Sequence, residues 1–286
     1  MNNKVIDCIS IAQKIKNDVK MDILSLENQP HLVVVVVGED PASQVYVRNK
    51  HKVCEEVGIK STIVRVREDI TQQGLETIVK NLNEDDSVHG LLVQLPLPKH
   101  LDEQRIAELI DWKKDVDAFH PVLQGKLMRG EDLDVIPLPC TAVGCIKILK
   151  EEGVNLSGKR IAVVGRSNIV GKPASMLCLH ENATVTMCHS RTLRLQSVTK
   201  QADIVICAVG KAKIFDYNYF SGGQYVLDVG INRDINGKLC GDVDIESVFN
   251  ARDDMCVTPV PRGLGLLTVA CLMENTIKCY KLQQGK

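Results

Sequence analysis

Hydrophobic residues along this chain gather in short, nearly unbroken β-branched runs, separated by longer stretches with helical spacing. The runs predict strands at 31–38 (HLVVVVVG), 61–68 (STIVRVRE), 88–96 (VHGLLVQLP), 160–166 (RIAVVGR), 183–190 (ATVTMCHS), 202–210 (ADIVICAVG) and 224–231 (QYVLDVGI). Segments between them, among them 43–57, 71–83 and 172–180, have the length and pattern of helices. Strand–helix alternation implies an α/β fold with parallel sheets covered by helices. Strands without polar alternation fit sheets buried on both faces.

The middle of the chain breaks this rhythm. Residues 111–141 mix prolines, charges and short apolar pieces, which predicts an irregular crossing. Helical AVGCIKILKEEG follows, and LSGKRIAVVGR opens a fresh strand–turn–helix unit. This divides the chain into a first domain at 1–140 and a second at 141–270. The last stretch, 271–286, has helical spacing and is expected to pack back on the first domain.

Composition narrows the picture. The 286 residues suffice for two ordinary domains, and 44% hydrophobic with 25% charged residues is globular usage. Aromatics make up only 3%, so the core must be aliphatic. With 35 basic against 36 acidic residues the net charge is −1, which argues against nucleic-acid binding through a basic surface. The purely aliphatic stretch LVVVVV is far too short to span a bilayer, and the N-terminus lacks an apolar signal core. Eleven cysteines, none in a CxxC pair, read as small buried hydrophobes in a reducing compartment and not as a zinc site. Together these features predict a cytoplasmic protein without a membrane segment.

Two places carry candidate chemistry. In SQVYVRNKHKVCEEVG, Tyr46 and Lys50 stand four residues apart on one helix face, with Val53 and Val57 continuing it. Alone, the pair is explained by snorkelling, since both side chains have apolar bodies and polar tips. In the second domain, a buried strand ends at Gly165, a polar turn follows, and Gly171 and Pro173 open a helix whose free N-terminal amides attract phosphate. The turn reads GRSNIVG and lacks the GxGxxG fingerprint, a weak match to a dinucleotide fold. Arg166 in that turn, with Ser190 and Arg191 just past the second strand, could surround a ribose 2′-phosphate. NAD sites usually carry an acid there, so the set favours NADP.

An ordered series of motifs is more specific. YVRNK (46–50), LLVQLPLP (91–98), KDVDAFHP (114–121), PLPCT (137–141), GRSNIVGKP (165–173), DVGIN (228–232), GDV (241–243) and TPVPRGLG (258–265) resemble, in the same order, the bifunctional methylenetetrahydrofolate dehydrogenase/cyclohydrolase family. The resemblance implies an N-terminal α/β folate domain, a C-terminal Rossmann-like NADP domain and a cleft between them. It implies oxidation of 5,10-methylenetetrahydrofolate by NADP⁺ to the methenyl form, hydrolysis to 10-formyltetrahydrofolate, a homodimer, and a place in one-carbon metabolism and purine biosynthesis. No metal is implied.

The resemblance also assigns residues. Lys50 would handle the proton in hydrolysis, because a lysine partly removed from water beside a cation gives up its proton more readily. Gln94 would orient Lys50, and Tyr46 would pack against the folate and place its hydroxyl near the reaction, which makes Lys50, Tyr46 and Gln94 the candidate catalytic residues. Asp117 would accept hydrogen bonds from the pterin. Pro261 and Gly263 would border the substrate. Gly165, Arg166, Ser167, Ile169, Ser190, Arg191 and Ile231 would hold the nucleotide.

The chain departs from the family pattern at four positions. Arg262 and Ala118 stand where glycine is usual, and Leu266 and Ala142 where proline is usual. Three alternatives therefore accompany the main reading. One is a family member with one activity lost through the 259–268 loop. Another is a non-catalytic folate- or nucleotide-binding protein. The third, an unrelated NADP-dependent two-domain dehydrogenase, leaves YVRNK and VQLPLP unexplained together.

Overall fold

All seven expected strands form, most of them trimmed where the chain turns into the following loop. The computed structural model describes residues 2–285. In chain order the elements are β1 (Lys4–Val5), α1 (Cys8–Leu24), β2 (His31–Val37), α2 (Pro41–Val57), β3 (Lys60–Val66), α3 (Gln72–Glu84), β4 (Gly90–Val93), α4 (Glu103–Leu109), α5 (Pro121–Arg129), α6 (Cys140–Glu151), β5 (Arg160–Val164), α7 (Gly171–His180), β6 (Thr184–Cys188), α8 (Leu195–Gln201), β7 (Ile204–Cys207), β8 (Tyr225–Asp228), β9 (Asn232–Arg233), β10 (Leu239–Cys240), α9 (Ile245–Ala251), β11 (Cys256–Val257) and α10 (Leu264–Gln283). They form two compact units.

Among the described residues, one unit comprises 14–140 and 269–285, around a parallel sheet ordered β3-β2-β4. All seven residues of β2 are buried, as expected for the centre of a sheet covered on both faces. On one face Val33, Val35, Val37, Leu91 and Val93 pack with Leu75 and Val79 of α3 and Ile106 of α4. The free edge of β4 is met by the chain at 114–115, where the Leu91 amide donates to the Lys114 carbonyl (2.7 Å).

The stretch 111–141 is less irregular than its composition suggests, for it contains α5. His120 caps that helix by accepting from the Val122 amide, Pro121 opens it, and Gly130 ends it in the left-handed region. Three local signals at the termini outweighed a weak apolar period.

The other unit holds residues 2–13 and Thr141–Thr268, around a six-stranded parallel sheet ordered β1-β11-β8-β7-β5-β6. The expected boundary at 140 assigned the N-terminus to the first domain. Residues 2–13 belong here instead, because the Lys4 and Ile6 amides donate to the Met255 and Val257 carbonyls (2.7 and 2.9 Å) and add β1 to this sheet. A two-residue strand is too short to show a hydrophobic period. From β5 the chain moves outward to β6, then returns to the other side of β5 as β7. That reversal makes the carboxyl ends of β5 and β7 the switch point where ligands bind in open α/β sheets.

Candidate active site

In the three-stranded unit, α2 brings its polar pair to the end of β4. The buried stripe of α2 is Ser43, Val47, Lys50, Cys54 and Val57, spaced by four and three residues. Lys50 thus occupies a core position, 8% exposed, while Tyr46 and Val53 lie half-buried beside the stripe. Snorkelling does not describe a lysine this enclosed. Its Nζ donates to Gln94 Oε1 at 3.1 Å, and no other partner is present among the described residues.

Gln94 is held from both ends. Its backbone amide donates to the Val35 carbonyl (2.8 Å), and its side-chain Nε2 donates to the Leu95 carbonyl (2.7 Å), which turns Oε1 toward Lys50. Burial raises the Tyr46 phenol above its ordinary range, and its hydroxyl has no partner among the described residues.

Asp117 comes from the turn beside β4. It is half-buried, and its carboxylate has no hydrogen-bond donor among the described residues. Burial pushes its carboxyl above the ordinary carboxylate range, while the charge of Lys50 pulls it down. Asp115, which the sequence reading passed over, builds this turn. Its Oδ1 accepts from the amides of Asp117 (3.1 Å) and Ala118 (3.0 Å), and its Oδ2 from that of His120 (2.7 Å). Burial pushes Asp115 up to about 7, against those donors. Ala118 sits at φ 59° in the turn, a left-handed position suited to glycine.

In the six-stranded unit, the turn after β5 has no room for side chains. A Cβ on Gly165 would lie 2.2 Å from the Ala208 carbonyl oxygen, and one on Gly171 would lie 2.3 Å from that of Gly165. The free amides are not where the sequence pattern places them. At the start of α7, Ser167 Oγ accepts from the Val170 and Gly171 amides (3.2 and 3.3 Å), the Ser167 carbonyl takes the Lys172 amide (3.0 Å), and Pro173 has none. The helix is capped by its own turn. The free N–H groups lie one step earlier, at Arg166, Ser167, Asn168 and Ile169, which have no acceptor among the described residues.

Val164 and Cys188 are registered partners across β5 and β6, so Arg166 and Ser190 each stand two residues past the same rung. Arg166, Ser190 and Arg191 are exposed, and neither arginine is ion-paired among the described residues. Ile169 and Ile231 are 44% and 49% exposed, apolar surfaces at the same sheet edge. Unpaired cations, free amides and exposed isoleucines fit a nicotinamide dinucleotide with an extra phosphate.

The loop after β11 carries Pro261 and Arg262, both exposed, and Gly263, which is buried. A Cβ on Gly263 would fall 2.0 Å from the Pro259 carbonyl oxygen, so only glycine fits. Arg262 has φ 70°, and like Ala118 it occupies a left-handed position. Ten of the eleven cysteines are buried. No metal-binding cluster is present among the described residues. Among them no helix is long and apolar enough to cross a membrane.

Comparison with known proteins agrees with this geometry. Residues 6–117 match the tetrahydrofolate dehydrogenase/cyclohydrolase catalytic domain, and residues 139–284 match the NAD(P)-binding domain of the same family. The chain is 49% identical over 286 residues to the bifunctional protein FolD of Acetivibrio thermocellus, covering 99% of each chain. It is similar to the crystal structure of the bifunctional FolD enzyme from Campylobacter jejuni, with TM-score 0.93, 43% identity, and 98% and 99% of the two chains covered. The FolD enzyme of Trypanosoma brucei, solved with NADP cofactor and inhibitor, is 32% identical with TM-score 0.91, all of both chains covered.

Proposed function

Since the chain belongs to the tetrahydrofolate dehydrogenase/cyclohydrolase family, we propose how its residues divide two reactions on one pterin. The enzyme oxidises 5,10-methylenetetrahydrofolate to the 5,10-methenyl form with a nicotinamide nucleotide, then hydrolyses that product to 10-formyltetrahydrofolate.

Asp117 anchors the pterin, offering a carboxylate with no protein donor of its own. Tyr46 presents a half-buried ring and an unpartnered hydroxyl to the folate. Lys50 holds and moves the proton in hydrolysis, and Gln94, clamped by Leu95, fixes the direction of its amine. The single observation that carries this assignment is the burial of Lys50 with one hydrogen bond, an enclosed ammonium left under-satisfied by the fold. Pro261 and Gly263 border the substrate on the six-stranded unit.

The nucleotide is NADP. Arg166, with Ser190 and Arg191, takes the 2′-phosphate; the free amides of 166–169 and the turn at Gly165 and Ser167 take the diphosphate; Ile169 and Ile231 supply apolar contact. What the nucleotide supplies when bound is a hydride acceptor. The Trypanosoma brucei complex supports the choice of NADP. The family resemblance extends the proposal to a cytoplasmic homodimer joined through the nucleotide unit, whose product serves purine biosynthesis. Light scattering on the purified protein checks the dimer.

Two assays test the main reading. One follows NADP⁺ and NAD⁺ reduction with 5,10-methylenetetrahydrofolate; the other follows loss of methenyl absorbance without nucleotide. Both activities are expected. Lys50→Ala should lower hydrolysis by about 10²-fold or more while folate still binds. Hydrolysis near the wild-type rate would remove Lys50 from the mechanism.

A further inference from the structure

We propose that Asp242 is a positioning residue for the nucleotide: its buried carboxylate fixes the loops that follow β7 and β8 at the sheet edge where the nucleotide binds. The inference rests on the proposed function and goes beyond it, because Asp242 touches no ligand in that scheme.

Asp242 is 0% exposed and spends both oxygens on these loops. Oδ2 accepts from the amides of Val209 (2.7 Å) and Gly210 (3.1 Å). Oδ1 accepts from the Lys211 amide (2.8 Å) and from Asn232 Nδ2 (2.9 Å). Three consecutive amides after β7 and one side chain after β8 thus converge on a single carboxylate. Both loops sit beside the switch point, and Ile231 precedes the tethered Asn232.

A second acid holds the first. Asp228, the last residue of β8, accepts from the amides of Gly230 (3.0 Å), Asp242 (2.9 Å) and Val243 (2.9 Å). The pair tolerates no side chain around it. A Cβ on Gly230 would lie 2.1 Å from Asp242 Oδ1, and one on Gly241 would lie 1.8 Å from Asp228 Oδ2. The glycines of DVGIN and GDV are therefore there so that two carboxylates can reach backbone amides. The sequence offers no reason for glycine at either place.

An isosteric change tests the inference. Asp242→Asn keeps the shape but replaces one acceptor with an NH₂ group, leaving at least one of the four donors facing another donor. Calorimetry on the full-length variant should show NADP⁺ and NAD⁺ binding weakened by a similar factor, roughly ten- to hundredfold, as expected for an unmet buried donor. The dehydrogenase KM for nucleotide should rise with kcat at saturation little changed. Methenyl hydrolysis, which uses no nucleotide, serves as the control for folding. Asn232→Ala removes one donor only, and should weaken both nucleotides by a smaller factor even if Asp242→Asn does not fold. Unchanged affinity in Asn232→Ala, or hydrolysis in Asp242→Asn falling in step with affinity, would overturn the positioning role. Wild-type protein that binds neither nucleotide would instead sink the proposed function, and this inference with it.

Discussion

Arg262 and Ala118 occupy positions where the backbone itself prefers glycine, with φ of 70° and 59°. A non-glycine residue there costs about 1–2 kcal/mol, partly offset by the chain entropy that glycine would add to the unfolded state. Arg262 is exposed, so Arg262→Gly loses no packing and should raise stability by about 1 kcal/mol, read as a higher thermal midpoint. Ala118 is 0% exposed, and trimming its methyl forfeits about 0.8 kcal/mol of burial, so Ala118→Gly should come out near neutral. Arg166 makes a sharper functional prediction. Removing an unpaired guanidinium beside Ser190 should weaken NADP about tenfold or more while NAD changes little, measured as separate binding constants. Equal losses would detach Arg166 from the 2′-phosphate.

At the scale of elements, the expected helices form and most are capped by neighbouring residues, but one end is closed from a distant part of the chain. The C-terminus of α3 is closed by Lys114, which is 4% exposed and whose Nζ donates to the carbonyls of Leu82 (3.3 Å), Asn83 (2.7 Å) and Asp85 (2.8 Å). A cation at the negative end of a helix meets orphan carbonyls and the dipole together. Lys114→Met keeps the apolar stem and removes the donors. It should cost about 3 kcal/mol in urea unfolding and speed amide exchange at the end of α3. No local signal marks Lys114 for this task, since it lies 29 to 32 residues from the carbonyls it caps. The lysine of KDVDAF is therefore structural, while the carboxylate of Asp117, the second acid of DVD, has no hydrogen-bond donor among the described residues.

At the scale of the whole molecule, buried acids shape the response to pH. Burial pushes Asp115 and Asp228 up to about 7 from an ordinary 3.8. Between those values the folded chain binds protons that the unfolded chain has released, so each group stabilises more at the acid end and loses that stabilisation as pH rises toward 7. His31, His89 and His120, lowered by burial, act in the opposite sense and lose stability as pH falls below their ordinary 6.5. Comparison with Asp115→Asn isolates the carboxyl. From pH 5 to 7 the urea stability of wild type should fall relative to the variant by on the order of 1 kcal/mol per pH unit. A constant difference would show that Asp115 ionises alike in both states.

Strand and helix periods, the glycine-rich turn and the ordered motifs are local properties, so the α/β architecture and the two kinds of unit were legible in the sequence, and the motifs nominated Tyr46, Lys50, Gln94, Asp117 and Arg166 for the proposed site. Contact between distant segments was not. Only the folded chain shows that Lys50 lies in the buried stripe of α2, that β1 joins the six-stranded sheet, and that Ser167 claims the α7 amides while those of 166–169 stay free. The same holds for Asp115, Asp228 and Asp242, which look like ordinary surface acids until burial and converging amides reveal what they hold. The reason is physical: a strand or helix is chosen by neighbours a few residues away, whereas desolvation and hydrogen-bond satisfaction depend on whatever the rest of the chain brings into contact.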